Sequence, residues 1–301
     1  MPEFLRLAAH PLRWGLLTAL AGGDLRVREL MARVDAPQNL VSYHLRLLRE
    51  GGLVTAVRST FDGRDSYYRL DLDRCAQSLA GTGAALHPAL NPALHAAVHP
   101  GLDPALNPGL HPGLGLDPAF DPALHPAPDP EQRQIAAPPA DPDDRTHHAV
   151  LFVCTGNSAR SPIAEALLRH HTAGRVTTIS AGTRPKPALH PRAVEVLRER
   201  YGIDIADQRP RHLDTLRGHR FAHVITLCDK AREACPEFGD RTRRLHWSTP
   251  DPATAAPAGP NDPAGAGREA EEAAFVRAAA DIDTRVRYLL PVLALASEDH
   301  P

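Results

Sequence analysis

Apolar positions recur at helical spacing over residues 12–20, 26–34 and 39–50, which predicts three short helices near the start of the chain. Pro11 suits the opening turn of the first, and Asp35-Ala36-Pro37 separates the second from the third. After Gly51-Gly52 the pattern shifts to two β-prone runs, 53–59 and 66–70, on either side of Asp62-Gly63, the signature of a hairpin. Helix-turn-helix followed by a hairpin predicts a winged helix (α+β) over residues 1–80. Further along, four apolar runs at 149–153, 176–181, 223–227 and 243–247 alternate with helical stretches and predict a parallel α/β sheet. Over 268–290 the residues Phe275, Ala279, Ile282, Val286 and Leu289 repeat at 4-3-4-3 spacing, the core-facing stripe of a closing helix.

Between these blocks the periodicity stops. Residues 83–145 repeat units such as His-Pro-Ala-Leu and Gly-Leu-Asp-Pro, and fourteen of the chain's 30 prolines lie between 83 and 142. A proline every four or five residues removes helix donors and interrupts strand ladders. The expectation is a polyproline-like, disordered linker over 81–146 that joins two domains without fixing their geometry. Its histidines read as part of the repeat and not as metal ligands.

Composition adds little to the first domain: 11 Arg against 9 Asp plus Glu in residues 1–80 would not by itself suggest DNA. Position does. The third helix and the turn before it carry Gln38, Asn39, Ser42, Tyr43, His44 and Arg46, side chains suited to base edges and phosphates, and Arg58 and Arg64 lie on the wing. No stretch is apolar and long enough for a signal peptide or membrane span, so a cytoplasmic, reducing setting is expected.

That setting changes how the four cysteines, Cys75, Cys154, Cys228 and Cys235, are read. Cys154 ends an apolar strand. Five residues including a glycine follow, then Arg160, and Ser161-Pro162 opens a helix. Backbone N–H groups of such a loop converge on a tetrahedral oxyanion, favoured by the helix dipole. Thr155, Gly156, Asn157, Ser158, Ala159, Arg160 and Ser161 would form this cradle. Arg160 would supply a forked donor, and the same field is expected to lower the pKa of the Cys154 thiol. Cys228 follows the third predicted strand and Cys235 lies seven residues on. In a regular helix those two would sit about 10 Å apart, whereas a disulfide needs Cα atoms within about 7 Å. Either the segment is not helical or it unwinds when the bond forms.

Residues 147–296 resemble the low-molecular-weight tyrosine-phosphatase fold and, within it, the thioredoxin-coupled arsenate reductases. The matching pieces are Cys-Thr-Gly-Asn-Ser-Ala-Arg-Ser (154–161), Ile-Ser-Ala-Gly (179–182), Thr-Leu-Cys-Asp-Lys-Ala-Arg-Glu-Ala-Cys-Pro (226–236) and His-Trp-Ser-Thr-Pro-Asp-Pro-Ala (246–253). The resemblance implies that Cys154 attacks arsenate and that Asp251 acts as general acid. Cys228 then takes the oxidation from Cys154, and Cys235 takes it from Cys228, leaving a disulfide for thioredoxin. It also implies that Ser161 bonds the Cys154 thiolate and Asn157 holds the loop. Asp262, in a second Asp-Pro-Ala, is the alternative acid. Family members hold a cation near positions matched by Asn157, Glu165 and Ser180, but Arg211-His212 replaces the acidic partner, so neither a metal nor a bound cofactor is expected. A plain tyrosine phosphatase is the rival; it commonly carries a second loop cysteine, where this chain has Ala159, and a tyrosine pair, where it has Ala253-Thr254.

Residues 1–80 resemble the ArsR family of winged-helix repressors through Ala-His-Pro-Leu-Arg (9–13), Val-Ser-Tyr-His-Leu-Arg-Leu-Leu (41–48) and Gly-Gly-Leu-Val (51–54). This implies operator double-stranded DNA as partner and a homodimer through this domain. The helix before the turn lacks the family's cysteine pair. Cys75 is then either a metalloid contact or a small buried hydrophobe. The combined expectation is a repressor fused to an arsenate reductase over 147–301; the alternative is a phosphatase, or an oxyanion-sensing regulator, fused to the same DNA-binding domain.

Overall fold

The protein is seen in a computed structural model that describes residues 2–87, 90, 149–239, 242–254 and 266–298. Most of the expected linker, and Asp262, lie outside the described residues.

The N-terminal unit contains α1 (Glu3–Ala8), α2 (Pro11–Leu20), β1 (Leu25–Arg26), α3 (Val27–Val34), α4 (Gln38–Glu50), β2 (Val54–Arg58), β3 (Ser66–Leu70) and α5 (Leu72–Leu86). Its antiparallel sheet runs β1-β3-β2. Leu16, Leu30, Val41, Leu45 and Leu48 meet in one apolar core, as their spacing along α2, α3 and α4 requires. Two elements lacked a sequence signal. α1 is six residues long and buries only Phe4 and Ala8, and β1 is two residues paired with Tyr67 and Tyr68 of β3. α5 runs past residue 80 to Leu86.

The second unit is a four-stranded parallel sheet, order β5-β4-β6-β7, from β4 (Val150–Cys154), β5 (Thr178–Gly182), β6 (His223–Thr226) and β7 (Arg243–His246). All five residues of β4 are buried, which is why that run is apolar without alternation. Helices α6 (Arg160–His171), α7 (Pro191–Tyr201), α8 (Asp229–Ala234) and α9 (Ala266–Glu298) complete it. Phe275, Ala279, Ile282, Val286 and Leu289 of α9 are all buried in its core. No helix among the described residues is long and apolar enough to cross a membrane.

The two units do not hang on a tether alone. Asp24, in the loop after α2, pairs with Arg285 of α9 in a buried ion pair. Arg69 of β3 reaches Asp281 at 3.0 Å, and Tyr288 Oη donates to Asp73 at 3.2 Å. Gly23 brings the backbones together: its φ is +128°, and a Cβ there would lie 3.1 Å from the His246 carbonyl. The expectation of unfixed geometry is therefore corrected, because buried charges from both units neutralise each other across the contact.

Candidate active site

The candidate site lies at the carboxyl end of β4, where ligands of open parallel sheets sit. Between Cys154 and α6 the chain makes a tight loop whose carbonyls are already occupied. Thr183, Arg184, Lys186 and His190 donate their backbone N–H groups to the carbonyls of Cys154, Thr155, Gly156 and Ser158 at 2.7–3.1 Å. With these carbonyls held by the 183–190 segment, loop N–H groups other than that of Asn157 are left for an anion. Asn157 takes the left-handed conformation (φ 45°), and its N–H donates to Cys154 Sγ at 3.2 Å. Gly182 at the end of β5 permits the close approach: a Cβ there would meet the Thr155 carbonyl at 2.7 Å.

Polar side chains brace this loop from behind. Ser161 Oγ lies 3.0 Å from Cys154 Sγ. Asn157 Nδ2 donates to Ser161 Oγ and to Ser180 Oγ, while its Oδ1 accepts from the Arg211 backbone N–H at 2.8 Å. Asn157, Ser158, Ala159, Arg160 and Ser161 are buried, and Thr155 and Gly156 form the partly open rim. Glu165, a candidate cation neighbour by resemblance, is instead ion-paired with Arg169.

Arg160 spans the mouth. Its two terminal nitrogens donate to the Thr249 carbonyl at 3.1 Å and to Asp251 Oδ2 at 2.8 Å. Its Nε is buried and has no hydrogen-bond partner among the described residues, so the Nε–H remains for a ligand oxygen. The pair holds Asp251, whose side chain is over a third exposed, against the loop arginine.

Cys228 sits just before α8, buried, with its Sγ 3.2 Å from Thr155 Oγ1. Burial pushes its thiol pKa up; Arg160 and the Thr155 hydrogen bond only partly offset this. Cys235 follows the last residue of α8, also buried, with its pKa raised by burial and partly offset by Arg244. Cys154, Cys228 and Cys235 are all free thiols here, and the segment between the last two is helical. Of the two readings left open by their spacing, the reduced protein takes the one that must unwind.

In the N-terminal unit Gln38, Asn39, Ser42, Tyr43 and Arg46 are exposed along α4, and Arg58 and Arg64 are exposed on the wing. His44 is a correction: it is 4% exposed, its ring 4.4 Å from that of His10, so it fills the core and does not reach a groove. Cys75 is half-buried, its Sγ 3.6 Å from the Leu53 carbonyl, with its pKa raised chiefly by burial and also by Asp71.

Sequence reasoning missed Thr155 as the partner of Cys228, the Thr249 carbonyl as a ligand of Arg160, and Asp229 beside Cys228. Asp229 had a signal, since it stands inside the cysteine motif; Thr155 and Thr249 carried none beyond proximity to it.

Comparison with known proteins places these features in families. Residues 149–299 match the low molecular weight phosphotyrosine protein phosphatases, and residues 10–56 match the bacterial regulatory proteins of the arsR family. The arsenate reductase of Shouchella clausii (strain KSM-K16) is 40% identical over 108 residues, 35% of this chain and 75% of that protein. The arsenate reductase of Bacillus licheniformis is 40% identical over 106 residues, again 35% and 75%. A solved thioredoxin-dependent arsenate reductase from Corynebacterium glutamicum is 29% identical, covering 49% of this chain and 62% of that one, with a TM-score of 0.36.

Proposed function

Because the chain belongs to the low molecular weight phosphotyrosine protein phosphatase family, and joins that domain to an arsR-type regulatory segment, we propose that it is a transcriptional regulator fused to an arsenate reductase. The observation that carries the catalytic half is the line of three free thiols: Cys154 in the oxyanion loop, Cys228 linked to that loop through Thr155, and Cys235 at the far end of α8. A hydrolytic phosphatase needs only the first.

The loop N–H groups and Arg160 hold arsenate, and the Cys154 thiolate attacks arsenic while Asp251 protonates the departing oxygen, which leaves as water. Cys228 then attacks the Cys154 sulfur. The sulfur–arsenic electron pair stays on arsenic, which leaves as arsenite, and a Cys154–Cys228 disulfide remains. Cys235 attacks Cys228, frees Cys154 and leaves a Cys228–Cys235 disulfide, reduced in turn by thioredoxin or another dithiol. For each cycle arsenic gains two electrons and the protein thiols lose two.

The exposed residues of α4 and the wing support binding to operator DNA. Leu5, Leu79 and Leu86 on α1 and α5 are exposed apolar side chains that support dimerisation through this unit.

Arsenite formation from arsenate with thioredoxin tests the reading. Cys154→Ser and Cys228→Ser are expected to abolish it, and Cys235→Ser to release about one arsenite per chain and stop. Sustained turnover by Cys235→Ser, or phosphate release from aryl phosphates with no arsenite formed, would reject it in favour of a phosphatase.

A further inference from the structure

The helix between the two relay cysteines is also the seat of the wing. Asp229, first residue of α8, is 1% exposed. Its Oδ2 accepts from Ser59 Oγ at 2.8 Å, the Thr60 backbone N–H at 2.7 Å and Thr60 Oγ1 at 3.2 Å, all at the tip of the wing. Its Oδ1 accepts from Ser248 Oγ at 2.9 Å and faces His246 Nε2 at 3.2 Å. Ser59 Oγ in turn accepts from the backbone N–H groups of Phe61 and Asp62 at 3.2 Å, so the shape of the wing tip is tied to this carboxylate.

The same short helix holds two further contacts. Arg232 pairs with Glu29 in the first turn of α3, and its guanidinium carbon lies 5.2 Å from the centre of the Tyr67 ring. Glu233 reaches Arg26 of β1 at 3.2 Å. Three of the six residues of α8 thus grip the wing, α3 and β1, and their relative positions hold only while α8 is helical. A second anchor does not use α8: Asp24 bonds the His246 carbonyl through its N–H, and its carboxylate bonds Arg285 and the Ser248 N–H.

Cys228 and Cys235 flank the six-residue helix α8, which at 1.5 Å per residue is about 9 Å long, whereas a disulfide requires about 7 Å or less between Cα atoms, so forming the bond requires α8 to unwind. We propose that formation of the Cys228–Cys235 disulfide undocks the wing from the enzyme domain, while the Asp24–Arg285 anchor holds, so that the DNA-binding unit reports the oxidation state of the relay. The oxidant in the cell rests on the arsenate-reducing reading: arsenate takes two electrons from the two thiols, their protons leave with one oxygen as water, and arsenite departs. The mechanical link itself needs only the disulfide. Arg58 and Arg64 stand on the strand and turn that lose their brace, so the oxidised protein presents a loosened wing to DNA.

Hydrogen–deuterium exchange on the full-length protein tests this, comparing reduced protein with protein oxidised by diamide, which accepts the two electrons and two protons. The expected result is at least tenfold faster exchange at the Thr60 amide, with no change at the Asp24 amide. Cys228→Ser, which cannot form the bond, should show no response to diamide. Unchanged protection of Thr60 in protein whose Cys228–Cys235 disulfide is verified by peptide mass would overturn the proposal, and so would failure of that disulfide to form in the folded protein. If the enzyme makes no arsenite while diamide still releases the wing, the catalytic reading fails and the coupling stands.

Discussion

Asp24 and Arg285, 261 residues apart in sequence, form a two-pronged ion pair at 3.0 and 3.2 Å, with only 3% and 8% of their side chains exposed. Burial opposes the charge on Arg285, yet Asp24 and Asp281 outweigh it and keep its pKa raised. A bond of this kind is weak evidence for net stability over an apolar pair, but removing one partner strands a buried charge.

Asp24→Ala should therefore destabilise the protein by about 3 kcal/mol, at the lower end of the usual range because Asp281 still faces Arg285 at 3.3 Å. Urea unfolding at neutral pH measures this. The double variant Asp24→Leu with Arg285→Met should recover most of the loss, since neither charge is then left alone.

Replacing Asp251 by Asn should slow arsenite release by about 10²–10⁴-fold, the usual worth of a general acid. Anion affinity should change little, because the loop N–H groups and Arg160 remain. Single-turnover kinetics with saturating arsenate separate the two effects. An unchanged rate would assign the proton to Asp262.

Cys228 and Cys235 both have thiol pKa values raised by burial. Exchange proceeds through the thiolate, whose fraction climbs about tenfold per pH unit below the pKa. Formation of the Cys228–Cys235 disulfide in a single turnover should accordingly accelerate from pH 7 to pH 9 without levelling off. Peptide mapping after acid quench follows it, and a plateau near neutral pH would contradict the raised values.

Asp229 has the opposite perturbation. Burial acts to raise its pKa, but hydrogen bonds from His246, Ser59, Thr60 and Ser248 outweigh it and hold the carboxyl well below the usual range. A depressed folded-state value contributes stability that is complete above the unfolded pKa of about 4 and lost as pH falls toward the folded value. Wing protection in hydrogen exchange should thus persist at pH 4 and fade only in stronger acid. In Asp229→Asn the acid limb of the stability profile should flatten.

Much of this protein is written locally. The helices around Leu16, Leu30 and Leu45, the buried run Val150–Cys154 and the stripe from Phe275 to Leu289 follow from spacing alone, because each element is specified by neighbours within one or two turns. The strand, loop and helix around Cys154 are legible for the same reason. α1 and β1 were not, since six residues and two residues carry too little periodicity and are held by packing, α1 on α2 and α5 and β1 on α3 and β3. His44 shares α4 with the exposed Tyr43 and Arg46, and only the packing of His10 against it shows that it points inward.

Residue order alone specifies the elements, the thiols and the cradle they serve. Folding of the whole chain is what sets Asp24 against Arg285, Arg160 beside Asp251, and Ser59 and Thr60 on Asp229. The difference is one of range: an isolated Asp after Gly22-Gly23 looks like an ordinary turn until a cation more than two hundred residues away is brought within 3.0 Å and water is excluded around both.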